Sequence, residues 1–241
     1  MKRRILINLT AILVVFLWTA ASAVAYPVPN APDGYELSSS MDFWTISDFT
    51  SNQDGTSFFQ IQVEKAAYES AFGLYTVDDI YKPTEILSEF EVFPESDEPM
   101  EMKTISFWDN QGEWNITDSY DNANPFGDYW QPFGSTFGFY YQVDAGNNGS
   151  TDYTFYTANN LNTQDQGIEH IYTAYNPDTQ GTYIYLEDLL AANADWDWED
   201  MTVYANDVSP QPVPEPATML LFGVGLSGFA FVARKRLAAK E

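Results

Sequence analysis

Phe58-Phe59-Gln60-Ile61-Gln62-Val63-Glu64 sets an apolar side chain at every second position from Phe59 onward. Successive side chains of a strand point to opposite faces, so a period of two marks a strand with one face buried. The same alternation returns in Glu89-Phe90-Glu91-Val92-Phe93 and in Thr104-Ile105-Ser106-Phe107-Trp108. Strand-like runs follow at 137–143, 153–156, 171–175, 183–186 and 201–204, and turn clusters such as Asp109-Asn110-Gln111-Gly112 and Asp144-Ala145-Gly146-Asn147-Asn148-Gly149 separate them. No stretch has a long helical period; residues 189–193 fit a single turn. Many short strands between 26 and 211 predict one all-β domain, an antiparallel β-sandwich or jelly-roll-like fold.

Two stretches of the chain echo one another. Ser70-Ala71-Phe72-Gly73-Leu74-Tyr75 returns as Ser135-Thr136-Phe137-Gly138-Phe139-Tyr140. Phe and Tyr three apart lie on opposite strand faces, and the intervening Gly admits a neighbour closely. The echo reads either as two related halves or as coincidence between aromatic-rich strands.

The composition removes whole classes of function. The 241 residues contain no cysteine and one histidine, and carry a net charge of −25. Nucleic-acid binding is excluded, because so acidic a chain repels phosphate. Cysteine nucleophiles, disulfides and thiolate or multi-histidine zinc sites are excluded by residue count. With 45% hydrophobic and 17% aromatic residues there is apolar surface enough to fold. Seven of the ten basic residues sit at the chain ends, leaving Lys65, Lys82 and Lys103 against 33 acidic residues between 26 and 211, a net charge of 3 minus 33, or −30. Self-repulsion on that scale destabilises a compact state unless salt or bound cations offset it.

Residues 1–25 read as a signal peptide: Lys2, Arg3 and Arg4 precede an apolar run, and Ala21-Ser22-Ala23 and Ala23-Val24-Ala25 offer two cleavage sites. The alternative is a retained anchor. Residues 26–36 form a Pro-rich leader, 37–209 the acidic β domain, and 210–216 a Pro-rich linker. Residues 217–233 then run without a charge, about 25 Å as a helix and just long enough to span a bilayer. The basic tail, 234–241, would stay on the cytoplasmic side and leave the domain outside.

Pro214-Glu215-Pro216, a short glycine-containing span and Arg234-Lys235-Arg236, in that order at the C-terminus, resemble the PEP-CTERM sorting signal of Gram-negative bacteria. The resemblance covers about 213–240. It implies export through the secretion translocon, transient anchoring in the inner membrane with the domain in the periplasm, and recognition by an exosortase. The tail is then removed and the protein delivered to the cell surface or extracellular matrix. Proteins with this signal accompany exopolysaccharide and biofilm material. The alternative is an anchor that is never cut.

One segment concentrates chemistry. Glu187, Asp188, Asp195, Asp197, Glu199 and Asp200 place six carboxylates between the 183–186 and 201–204 strands. Crowding like charges on a connecting loop is unfavourable unless a cation takes them up. Calcium prefers six to eight hard oxygen ligands in flexible geometry, which carboxylates at alternate loop positions such as Asp195, Asp197 and Glu199 can supply. Ca2+ is therefore the expected cofactor, with a solvated acidic turn as the plain alternative. An EF-hand is excluded, since Asp200 stands where glycine is needed and Asn206 where a bidentate Glu is needed. Phe137, Gly138, Tyr140, His170, Glu187, Asp188, Leu189, Asp195, Asp197, Trp198 and Asp200 follow an order that resembles the domain-of-unknown-function family 4114, over about 134–208. Glu199 departs from that family's usual Asn. The resemblance implies a surface or matrix setting, shared with large calcium-dependent adhesins, and no established activity.

An enzyme would need a base, and His170 is the only imidazole; Gly-x-Ser-x-Gly elbows and phosphate-cradling glycine loops are absent. A non-enzymatic surface or matrix component is therefore expected. A calcium-dependent carbohydrate-binding module or adhesin is the rival, with Trp196 and Trp198 as candidate stacking residues and extracellular polysaccharide as partner. Against it, two Trp one residue apart also suit a core face. A polysaccharide-acting hydrolase using two carboxylates is the lesser alternative.

Overall fold

The computed structural model describes residues 27–38, 42–46, 55–65, 68–110, 113–118 and 130–211. The signal peptide, the membrane span at 217–233 and the sorting residues Pro214, Glu215, Pro216, Arg234, Lys235 and Arg236 lie outside the described residues.

The chain folds as an all-β sandwich. One sheet has eight strands in the order β1 (Glu36–Ser38), β11 (Ile171–Asn176), β12 (Gly181–Leu186), β13 (Met201–Asn206), β3 (Gly55–Glu64), β6 (Met102–Asn110), β7 (Glu113–Asp118) and β8 (Gln131–Pro132). The other runs β14 (Val208–Pro210), β2 (Trp44–Ile46), β9 (Thr136–Asp144), β4 (Glu69–Val77) and β5 (Ile86–Phe93), with β10 (Tyr153–Tyr156) also paired to β9. All the pairings are antiparallel. Among the described residues there is no α-helix, only 3-10 turns at Asn159–Leu161 and Thr163–Asp165.

The alternation read from the sequence sets which side chains meet. Phe59, Ile61, Phe107, Ile184 and Val203 of the eight-stranded sheet face Trp44, Phe72, Leu74, Phe137 and Phe139 of the other in one buried core. Stacked rings, Phe72 on Phe139 at 5.8 Å and Phe107 on Phe137 at 5.3 Å, run through its middle. Among the described residues the core draws only on those between β2 and β14, all of them within the segment 26–211.

The Phe-Gly-x-Tyr echo has a physical cause. β4 and β9 are neighbours, and their register sets Gly73 opposite Tyr140 and Tyr75 opposite Gly138. Each tyrosine lies across the glycine of the other strand, on the face away from the main core. A Cβ on Gly138 would stand 2.4 Å from the Tyr75 ring; on Gly73 it would stand 2.4 Å from both the Tyr140 ring and the Phe90 carbonyl. Tyr75 is fixed further by accepting from Ala158 N at 3.0 Å, so it cannot simply swing away. Overpacking of this kind costs about 2 kcal/mol. Gly138→Ala is therefore expected to lower the unfolding free energy by that amount, seen in urea titration as a lower midpoint at unchanged slope.

Candidate metal centre

The site grows from the end of one strand and the start of the next. β12 ends at Leu186, whose side chain points into the core, and the next two residues leave the sheet. Glu187 stays attached through its backbone, donating from N to His170 O at 3.0 Å. Residues 190–194 close a single turn, with Asn193 N and Ala194 N both donating to Leu190 O. Asp200 returns beside the start of β13, its carbonyl accepting from Lys65 N at 2.9 Å.

Three of the six carboxylates converge. Oxygens of Glu187, Asp188 and Asp200 all lie within 4.8 Å of one another. Glu187 is 0% exposed and Asp188 2%. Asp200 Oδ2 accepts from Asp188 N at 2.8 Å, and Glu187 Oε1 accepts from Leu189 N at 3.3 Å. Glu187 Oε2 and Asp188 Oδ2 are buried with no hydrogen-bond partner. A buried carboxylate oxygen without a donor is costly, and two of them side by side point to a cation.

Electrostatics agrees with the geometry. Burial pushes the Glu187 carboxyl up to about 8, with Asp200, Asp195 and Asp188 adding repulsion. Burial likewise raises Asp188 and Asp200, and the charges acting on them most strongly are all negative. Two of the lysines pair elsewhere: Lys65 with Glu199, and Lys103 with Asp97 at 2.7 Å.

The remaining sequence candidates stand outside this trio. Asp195 is exposed, although close enough to act on Glu187, Asp188 and Asp200. Asp197 is exposed and accepts from Glu199 N at 3.0 Å, closing its own loop. Glu199 is exposed and held by Lys65, a surface pair worth little. Alternate spacing therefore does not assemble the site; strand ends do. Trp198 is 2% exposed and donates from Nε1 to Pro27 O at 2.9 Å, so it offers no open face for a sugar. Trp196 is half-buried, its ring 5.6 Å from that of Trp198. Both tryptophans have positive φ, +58° and +60°, costing roughly 1–3 kcal/mol each in a bulky residue.

His170 is a supporting residue that the sequence left without a role. It is 0% exposed, stacks on Phe155 at 3.8 Å and donates from Nε2 to Asp165 Oδ2 at 2.7 Å. The same Asp165 oxygen accepts from Ala191 N at 2.7 Å. The pair ties the turn after Asp188 to the 3-10 turn, while the His170 carbonyl holds Glu187.

A second acidic group, Glu69, Glu95 and Asp144, makes a useful contrast. Asp144 is buried, but its oxygens accept from the amides of Gly149 at 2.5 Å, Asn148 at 2.6 Å, Gly146 at 3.0 Å and Ser150 at 3.2 Å. Burial raises its carboxyl and those amides outweigh it, leaving it below its ordinary value. That carboxylate organises a turn; the Glu187 trio has only the amides of Asp188 and Leu189, and these leave Glu187 Oε2 and Asp188 Oδ2 without a donor.

The molecule is thus an acidic β-sandwich with a carboxylate cluster at one strand end. Residues 212–236 match the PEP-CTERM protein-sorting motif. That motif implies export with membrane-anchored sorting by an exosortase in a Gram-negative bacterium. Comparison with curated proteins and with solved structures gives no match.

Proposed function

We propose that this is a non-enzymatic surface or extracellular-matrix protein whose sandwich is stabilised by calcium bound at Glu187, Asp188 and Asp200. The observation that carries the reading is the pair of buried, donorless oxygens, Glu187 Oε2 and Asp188 Oδ2, inside a three-carboxylate cluster. The donor set is hard oxygen throughout, and His170 is committed to Asp165, so a hard cation fits and zinc does not. Export supports calcium over scarcer ions, since extracellular modules work with weak sites. The resemblance of 134–208 to the 4114 family, and the sorting route, fit a setting of exopolysaccharide and biofilm. On this reading calcium neutralises charge and fixes the 187–200 loop.

Calcium titration of the segment 26–211 at pH 7.5, followed by calorimetry, is expected to give one site per chain that Asp200→Asn removes. Absence of binding at millimolar calcium would overturn the reading.

A carbohydrate-binding role is the second reading. It is favoured by Trp108, 40% exposed on the outer face of β6, with the Trp130 ring 5.9 Å away. Paired aromatic faces on a sheet suit sugar stacking better than the buried Trp198 does.

A further inference from the structure

The leader covers part of the outer face of the eight-stranded sheet, over β11 and β12. Tyr172, Tyr183, Tyr185, Trp196 and Trp198 form an aromatic layer there, beside a groove of about 490 Å3. Pro29 is buried against it, while Pro27, Val28 and Asn30 stay exposed. Trp198 Nε1 donates to Pro27 O at 2.9 Å and Tyr185 Oη to Asn30 O at 3.4 Å. Both hydrogen bonds therefore go to main-chain carbonyls. Aromatic residues donating to the carbonyls of a proline-rich strand are the physics of polyproline recognition, in which a pre-extended segment loses little entropy on docking.

The same tripeptide occurs twice. Pro27-Val28-Pro29-Asn30 is matched at the other end of the chain by Pro212-Val213-Pro214-Glu215. Every feature the groove reads is kept: the buried proline becomes Pro214, and the two accepting carbonyls become those of Pro212 and Glu215. The one polar change, Asn30 to Glu215, falls at an exposed position.

The two ends of the described chain lie on different layers. Pro210 pairs with Trp44 in the six-stranded sheet, and Gln211 N donates to Phe43 O at 2.8 Å, so the described chain ends in that layer. The leader sits on the outer face of the other. A tail that reaches this groove therefore comes from a second copy. We propose that the groove is a docking site for residues 212–216 of another copy of this chain, which exchange with the leader and join copies head to tail. A head-to-tail contact does not close on itself, so it builds open chains. The leader competes in cis, so docking is weak until it is displaced. Asp197 and Glu199 line the groove, so Glu215 meets like charge there and added salt strengthens docking.

The test uses 15N-labelled 26–211 and two peptides, Tyr-Pro-Val-Pro-Asn-Ala-Pro (26–32) and Gln-Pro-Val-Pro-Glu-Pro-Ala (211–217), read at the Trp198 indole resonance. In a Pro27→Gly/Pro29→Gly chain, whose own leader is loosened, both peptides are expected to shift that resonance. The tail peptide is expected to bind at least tenfold more tightly than it does to the unaltered chain. Tyr185→Phe should weaken both peptides, and a Glu215→Gln tail peptide should bind more tightly at low salt. The proposal is overturned if the leader peptide binds and the tail peptide does not, if neither binds, or if tail binding leaves the Trp198 resonance unmoved.

Discussion

A chain carrying Glu187→Gln and Asp188→Asn is expected to be more stable than the natural chain in chelator, and to ignore calcium. The Glu187 carboxyl is pushed from 4.5 to about 8 by burial and by its acidic neighbours. Without a cation the folded carboxyl stays largely protonated at pH 7, and taking up that proton about 2.5 pH units above its ordinary value costs roughly 3 kcal/mol, at about 1.4 kcal/mol per pH unit. Neutral amides of the same shape remove that penalty and bring N–H donors of their own to a region where Glu187 Oε2 and Asp188 Oδ2 have none. For a domain of this size the midpoint should rise on the order of 5–10 °C. Were residues 187–200 an ordinary solvated turn, the substitutions would change stability by only about 0.5 kcal/mol. Thermal unfolding by circular dichroism in chelator, with and without the substitutions, decides between them.

The second large effect is a reversal of pH dependence. A carboxyl raised in the folded state favours the protonated form there. Its contribution is full below the unfolded value near 4.5 and is lost as pH rises through the folded value near 8. The metal-free chain should therefore lose stability steadily from about pH 4.5 to pH 8. Glu169, raised to about 8 by burial and by Asp42, adds to the same trend. Calcium binds the ionised trio and competes with protons, so its stabilisation should be near zero at pH 5 and largest at pH 8. The difference between calcium and chelator midpoints must then grow with pH. In the Glu187→Gln/Asp188→Asn chain that difference should vanish, while the Glu169 slope remains. Midpoints measured at half-unit steps from pH 5 to 8 separate the two contributions.

How much the sequence revealed depended on how local each feature is. Period-two alternation is local, and it marked the segments that became β3, β5, β6 and β9 to β13. β1, β2, β8 and β14 are two or three residues long, too short for any period to register. The Phe-Gly-x-Tyr repeat was visible as a pattern, but its meaning needed the register that crosses Gly73 with Tyr140. At the candidate site the sequence singled out the 187–200 segment and put weight on Asp195, Asp197 and Glu199 because their spacing is regular. The fold instead joins Glu187 and Asp188, at the end of one strand, to Asp200 at the start of the next, a pairing that only the β12–β13 ladder creates. Trp198 was legible as either a stacking or a core residue; the leader contact that buries it joins residues 171 apart in sequence.

The claim on which the account rests is that the buried trio, rather than the exposed loop carboxylates, holds calcium. Thermal unfolding of 26–211 in calcium and in chelator tests it, using the natural chain, Asp195→Ala/Asp197→Ala and Asp200→Asn side by side. Calcium at about 100 times its dissociation constant should stabilise the natural chain by about 2.7 kcal/mol. The exposed-pair variant should keep most of that gain and Asp200→Asn should lose it. Equal midpoints for the natural chain in calcium and chelator, or a gain that survives Asp200→Asn and disappears with Asp195 and Asp197, would contradict it.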